Sequence, residues 1–148
     1  MNISNILTEK HILLNLKSGS KREFLQDLAQ KASEITDIDA LSIFDSILER
    51  ENLGSTGFGG GTALPHSRFA GLDKVYAFFA KPTYALDFDS IDGKPVDLVF
   101  LLMSPENSGA DHLTALAMLS RILKDENTCN KLRRMTKSTE IYALLNEA

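Results

Sequence analysis

A short segment of the sequence combines an arginine, a glycine-rich loop and a histidine that follows a proline. It runs from Arg50 to His66 and reads Arg-Glu-Asn-Leu-Gly-Ser-Thr-Gly-Phe-Gly-Gly-Gly-Thr-Ala-Leu-Pro-His. Glycines let backbone N–H groups turn toward an anion without side-chain obstruction, and an arginine supplies a fixed fork of donors. A histidine can act as a nucleophile. The segment therefore contains the groups that phosphate chemistry requires.

His66 is the residue of this segment that could accept a phosphoryl group. A neutral imidazole has a lone pair on one ring nitrogen while the other nitrogen donates a hydrogen bond. Pro65 favours an extended conformation at Leu64, so a short strand over residues 62–64 is predicted to end just before His66. Phosphoryl transfer requires in-line positioning and neutralisation of charge on the phosphoryl oxygens. Arg50 and the backbone N–H groups of the loop could supply both.

The loop itself is predicted to contact phosphate, although a glycine run alone more often forms a flexible turn. It lacks the Gly-Lys-Ser/Thr ending of a nucleotide P-loop, and it follows a predicted helix where a dinucleotide fingerprint requires a strand. Ser55 and Ser67 lie outside the Gly-x-Ser-x-Gly elbow of a hydrolase, and Ser55 and Thr56 are expected to orient the loop. The residues predicted to bind phosphate are Ser55, Thr56, Gly57, Gly59 and Gly61.

His112 is the second histidine with a chemical context, and two interpretations of it stay open. It falls in the first turn of a predicted helix, in line with Leu116, Leu119 and Leu123, as a histidine at the edge of the core would. Alternatively, the positive end of the helix keeps it neutral and lets it donate to phosphate. A metal site of His66, His112 and Asp111 matches no zinc-ligand spacing, so no metal or cofactor is predicted.

The composition of the chain indicates a globular protein of the cytoplasm. Its 148 residues are 43% hydrophobic, which is enough for the core of a single domain over residues 1–148. The net charge of -4 argues against nucleic acid as a partner. The one cysteine excludes an internal disulfide, and no apolar run is long enough to insert into a membrane.

Hydrophobic periodicity predicts helices before and after a set of strands. Capping signals and apolar spacing predict one helix over about 21–35 and a second that is capped by Asp37 or Asp39, ends at Gly54 and has Arg50 in its last turn. A third opens at Ser108 or Asp111. This order predicts a sheet covered by helices. The remaining predictions are strands over 11–16, 74–80, 84–91 and 96–103 and helices over 126–135 and 138–146.

The segment from Arg50 to His66 resembles the active-site signature of the type 2 (mannitol/fructose/nitrogen) EIIA domains of the bacterial phosphoenolpyruvate-dependent phosphotransferase system. Two further blocks extend the resemblance over essentially the whole chain. They are residues 87–98, which resemble the nitrogen-regulatory branch, and His112-Leu113-x-Ala115-Leu116-Ala117. The sequence departs from the family pattern at Thr62, where an aliphatic residue is usual, and at Ser67, where Gly, Ala or Cys is commoner.

The resemblance implies an α/β fold with a mixed β-sheet flanked by helices. It also implies that His66 receives a phosphoryl group on Nε2 from an HPr-like phosphocarrier, with Arg50 and His112 completing the site. Three outputs stay open: a regulatory phosphocarrier that acts on target proteins, a sugar-specific EIIA that passes the phosphoryl group to an EIIB domain, and an interaction module that carries no phosphate.

Overall fold

A computed structural model describes residues 1–147 of the chain. Within them, two 3₁₀ turns, Ile3–Asn5 and Glu9–His11, precede six strands and five helices. The strands are β1 (Ile12–Leu16), β2 (Gly57–Gly59), β3 (Thr62–Ala63), β4 (His66–Phe69), β5 (Tyr76–Pro82) and β6 (Leu98–Pro105). The helices are α1 (Lys21–Thr36), α2 (Ala40–Leu53), α3 (Ala110–Lys124), α4 (Glu126–Arg134) and α5 (Ser138–Glu147).

The strands form one mixed sheet in the order β1-β5-β6-β3-β2, and β4 pairs with β6 farther along the same edge as β3. β1 runs parallel to β5, and β3 and β4 run parallel to β6. β5 is antiparallel to β6, and β2 is antiparallel to β3. The predicted mixed sheet flanked by helices is therefore confirmed.

The helices cover both faces of the sheet. Alternate residues of β6 point to opposite faces, as the pleat of a strand requires. Val99 and Leu101 pack with α1 and α2, whereas Phe100 and Leu102 pack with α3, α4 and α5. Because β6 is buried along almost its whole length, it is the central strand that its continuous apolar sequence predicts.

The predicted helix boundaries agree closely with the structure. Ser20 accepts a hydrogen bond from the backbone N–H of Glu23 at the start of α1, and Asp39 accepts one from Ser42 at the start of α2. Gly54 follows the last residue of α2. A capping side chain accepts a hydrogen bond from one of the unpaired N–H groups at a helix start. Because the two residues are only three positions apart, such caps can be predicted from the sequence.

The strand predicted over residues 84–91 is wrong. Leu86 makes an isolated antiparallel bridge to Val96, and the rest of this segment is irregular. Leu86 and Phe88 are buried at the spacing of a strand, which explains the prediction. However, the carboxylate of Asp87 accepts from the N–H of Asp89, whose φ of 54° is left-handed. This local turn ends the extended conformation.

None of the helices in residues 1–147 has the length and the apolar character that crossing a membrane requires.

Candidate functional site

His66 is the first residue of β4, at a break in the edge of the sheet. β3 and β4 both pair with β6, and the Pro65 carbonyl between them accepts a hydrogen bond from the N–H of Leu102. Proline has no N–H to donate to a ladder, so the pairing is interrupted at the residue before His66. The next residue, Ser67, contacts α2, which leaves the His66 side chain on the opposite face with α3.

The His66 imidazole is held in one tautomer. Its Nδ1 lies 2.8 Å from the carbonyl oxygen of Leu64. A carbonyl can only accept, so Nδ1 carries the hydrogen and the lone pair is on Nε2. Burial lowers the pKa of His66 and outweighs the Leu64 hydrogen bond, which raises it; the nearby charge of Arg50 lowers the pKa further, and Glu51 has a smaller raising effect. A neutral imidazole with a free Nε2 is a competent nucleophile.

His112 lies beside His66. The two ring centroids are 5.8 Å apart, although the rest of β4, β5 and β6 lie between the two residues in the chain. His112 is buried, and its Nδ1 lies 2.7 Å from the hydroxyl oxygen of Ser104 at the end of β6. Burial lowers the pKa of His112 to about 4, and the charges of Arg68 and His66 add to that effect. His112 is thus a core-edge histidine that also faces His66, and its contact with phosphate stays a prediction.

Two arginines make the surroundings of the histidine pair positive. Arg50 is in the last turn of α2, and its guanidinium donates to the carbonyl of Gly54 at 2.8 Å. Arg68 is two residues after His66 in β4 and donates to the hydroxyl of Ser108 at 2.9 Å. Residues two apart on a strand share a face, so Arg68 lies on the side of the sheet that carries His66. The N-terminus of α3 adds partial positive charge.

The near arm of the loop, residues 54–57, lies at the His66 end of the hairpin formed by β2 and β3. The Ser55 hydroxyl donates to the carbonyl of Phe88 at 2.6 Å and accepts from the N–H of Gly57. The hydroxyl and N–H of Thr56 both donate to the carboxylate of Glu51. These bonds fix the loop, as expected for Ser55 and Thr56, and their donors already have protein acceptors.

The glycine turn lies at the far end of the same hairpin. Thr62 pairs with Leu98 and His66 with Leu102, so Gly61 is more than about 13 Å from His66 along the strand direction. Gly59 and Gly61 have positive φ angles, and the N–H of Gly60 between them donates to the carboxylate of Asp92. The structure thus does not bring Gly59 and Gly61 together with His66, and the anion at this turn is Asp92.

The two residues that depart from the family pattern have partners within the fold. The hydroxyl of Thr62 donates to the carbonyl of Gly59 and closes the glycine turn. The hydroxyl of Ser67 lies 2.5 Å from that of Ser46 in α2, on the face of the sheet opposite His66. Each hydroxyl is therefore accommodated by a hydrogen bond that an aliphatic residue or a glycine would not make.

Four residues around this site have no role that is predicted from the sequence: Lys21, Glu51, Arg68 and Ser104. Ser104 is a polar residue at the end of an apolar strand, and Arg68 follows His66 at strand spacing, so both carried a signal. Glu51 falls on the apolar stripe of α2 and is a buried carboxylate. Its partner Lys21 lies in another helix, which no local pattern reveals.

In residues 1–147 no group of three His, Cys, Asp or Glu side chains is arranged to hold a metal ion. The side chains around His66 that could contact an anion are an imidazole, arginines and hydroxyls.

Stability should depend on pH through His112. Its pKa is about 4 in the folded chain and about 6.5 in an unfolded chain, so between these values the unfolded state binds more protons. Stability therefore rises with pH from about 4 to 6.5, and the full effect of about 3 kcal/mol is present above that range. We expect urea unfolding at pH 7 and pH 5 to show a smaller difference in His112→Gln than in the wild type. An equal difference in the two proteins would contradict this assignment.

The mixed sheet and the facing imidazoles define a small α/β domain built around a histidine pair. The chain belongs to the family of EIIA type 2 domains of the phosphoenolpyruvate-dependent sugar phosphotransferase system, whose model matches residues 5–148.

Relatives and solved structures agree with this family. The chain is 44% identical to a nitrogen regulatory protein of Bradyrhizobium diazoefficiens, over 98% of this chain and 95% of that protein. It is 38% identical to a fructose-specific EIIA component of Haloferax volcanii, over 84% and 80%. The crystal structure of the nitrogen regulatory protein IIA-Ntr from Neisseria meningitidis superposes with a TM-score of 0.91 at 33% identity, and covers 97% of this chain and 98% of that one.

Proposed function

We propose that this protein is a cytoplasmic phosphohistidine carrier in which His66 accepts a phosphoryl group from an HPr-like protein. The observation that carries the proposal is the hydrogen bond between Nδ1 of His66 and the Leu64 carbonyl. It leaves the lone pair on Nε2, at a ring that burial keeps neutral. Membership of the phosphotransferase-system family supports the same chemistry.

The proposed step exchanges one nitrogen–phosphorus bond for another. The bond between phosphorus and the donor's histidine breaks while a bond forms from Nε2 of His66, and the donor's imidazole keeps the electron pair. His66 becomes more positive as this bond forms, and the Leu64 carbonyl stabilises that charge because it continues to accept from Nδ1. The reaction requires positioning and electrostatic stabilisation more than covalent chemistry from other residues.

Arg50 and His112 are proposed to contact the phosphoryl oxygens. The ring of His112 is 5.8 Å from that of His66, and its low pKa keeps it neutral, so it can donate one hydrogen bond without adding a charge. Arg50 influences the pKa of His66 and is partly exposed, so its guanidinium can meet an incoming anion. Ser55 and Thr56 are proposed to hold the loop beside this site.

The direct test is reconstitution. The wild-type chain would be incubated with phosphoenolpyruvate, enzyme I and an HPr-like protein, and the product examined by mass spectrometry and phosphorus NMR. We expect one acid-labile phosphoryl group on Nε2 of a histidine. Phosphorylation of Nδ1, or no phosphorylation by any matching donor, would refute the proposal.

Arg50→Ala is expected to slow phosphorylation by about tenfold to a hundredfold while the fold is retained. The substitution removes a charge-assisted contact to the phosphoryl oxygens, each of which is worth about 1.5–3 kcal/mol. Rates would be measured by quenched flow with the HPr-like donor, beside thermal unfolding. Arg121→Ala is the matched control, because Arg121 is exposed and nine residues along α3 from His112. A loss of folding in Arg50→Ala would make Arg50 structural.

The output is proposed to be regulatory. A phosphoryl group adds close to two negative charges to a surface that carries Arg50 and Arg68, which is enough to change how partner proteins dock. The similarity to nitrogen regulatory proteins supports this reading. A pull-down that compares the wild type with His66→Ala would identify partners that distinguish the two forms.

A sugar-transport output is the second candidate, and the similarity to a fructose-specific EIIA component supports it. Transfer of the phosphoryl group from His66 to an EIIB domain in a reconstituted assay would establish it. Partner binding and cellular output that are both unaffected by His66→Ala would instead indicate an interaction module.

A further inference from the structure

Glu51 is a buried carboxylate next to Arg50 in the chain, and its partners are residues that lie around the site. Its side chain is 1% exposed and forms an ion pair of 2.9 Å with Lys21 at the start of α1. It also accepts from the N–H of Thr56 at 3.1 Å and from the Thr56 hydroxyl. A buried charge is retained only where such partners compensate for its lost hydration.

Hydrogen bonds continue from Thr56 to the imidazole of His66. The carbonyl of Thr56 accepts from the N–H of Leu64 at 3.3 Å, and the carbonyl of Leu64 accepts from Nδ1 of His66. Glu51 therefore fixes Thr56, Thr56 fixes Leu64, and Leu64 fixes the tautomer and orientation of His66. The residues that make these hydrogen bonds are all buried or partly buried.

Lys21 ties a third segment to the same carboxylate. Its ammonium group donates to the carbonyl of Phe88 at 3.2 Å, and this carbonyl also accepts from the Ser55 hydroxyl. The ammonium group additionally lies 4.7 Å from the centre of the Phe88 ring. The start of α1, the end of α2 and the irregular segment around Phe88 thus meet at one buried ion pair.

We propose that Glu51, held by Lys21, is a positioning residue that selects the Nδ1–H tautomer of His66 and so keeps Nε2 available for phosphorylation. This inference rests on the proposed function only for its effect on rate. Its effect on the imidazole is a property of the unphosphorylated protein. Outer groups that orient a reactive imidazole commonly affect activity by about 10–100-fold.

The test compares Glu51→Gln with Glu49→Gln, which removes the same charge from an exposed position of the same helix. Nitrogen NMR of the His66 ring reports the tautomer directly and needs no phosphate. In Glu51→Gln we expect a mixture of tautomers and phosphorylation slowed by about tenfold or more, whereas Glu49→Gln should match the wild type. A folded Glu51→Gln with the wild-type tautomer would overturn the proposal, whatever its rate.

Thr56→Val is the second variant, because Gln beside Lys21 can destabilise the fold. It removes the hydroxyl bond to Glu51 and keeps both the charge pair and the Thr56 backbone. If Glu51→Gln does not fold, partial loss of the Nδ1–H tautomer in Thr56→Val supports the proposal and an unchanged tautomer refutes it. A wild-type chain that accepts no phosphate would refute the proposed function, and the NMR comparison would still decide the positioning role.

Discussion

Replacing His66 with alanine is expected to abolish the acid-labile phosphate that the wild-type chain acquires through enzyme I and an HPr-like protein. The substitution removes Nε2, which has a free lone pair on a neutral, oriented ring. Loss of a nucleophile costs far more than loss of an auxiliary contact, so a decrease of more than about a thousandfold is expected. Mass spectrometry of the reconstituted reaction measures it.

The other two histidines of the chain are matched controls for this result. His11 is buried elsewhere, with its Nδ1 3.1 Å from the carbonyl of Ala77, and His11→Gln should still be phosphorylated at the wild-type level. His112→Gln should be phosphorylated on His66, but more slowly. Phosphate that persists in His66→Ala, or that disappears in His11→Gln, would assign the acceptor to another residue.

Much of the site could be predicted from sequence because its chemistry is local. Arg50, Pro65 and His66 lie within one segment, and a proline, a helix end and a glycine each restrict the backbone within a few residues. The same short range explains the helix caps at Ser20 and Asp39. Such signals act only between residues that are close to one another along the chain.

Contacts between distant segments could not be predicted in this way. His112 beside His66, and Lys21 beside Glu51, depend on the pairing of β4 with β6 and on the packing of α1 against α2. The glycine turn illustrates the same limit. Its glycines are predicted from the sequence to bind phosphate, and the turn does hold a carboxylate, but the hairpin register places it about four residues of strand away from His66. Register is a property of the sheet and not of the loop.

Phe88→Ala is expected to lower the free energy of unfolding by about 3–5 kcal/mol. Phe88 is fully buried in an irregular segment, where its ring packs edge-on against Phe24 at 6.3 Å. Truncation would leave a cavity and would remove the ring beneath the Lys21 ammonium. Urea unfolding at pH 7 measures the change, because unfolding exposes the surface that is buried in the folded chain.

Ile91→Ala is the matched control, since Ile91 is a large apolar residue of the same segment but is 86% exposed. It should change stability by no more than about 0.5 kcal/mol. A true strand over 84–91 would be held by its ladder, and both truncations would then have moderate effects. A large contrast would show that one buried ring, not backbone pairing, holds this segment on the core. Because the Phe88 carbonyl accepts from Lys21 and Ser55, Phe88→Ala should also loosen the near arm of the loop beside His66.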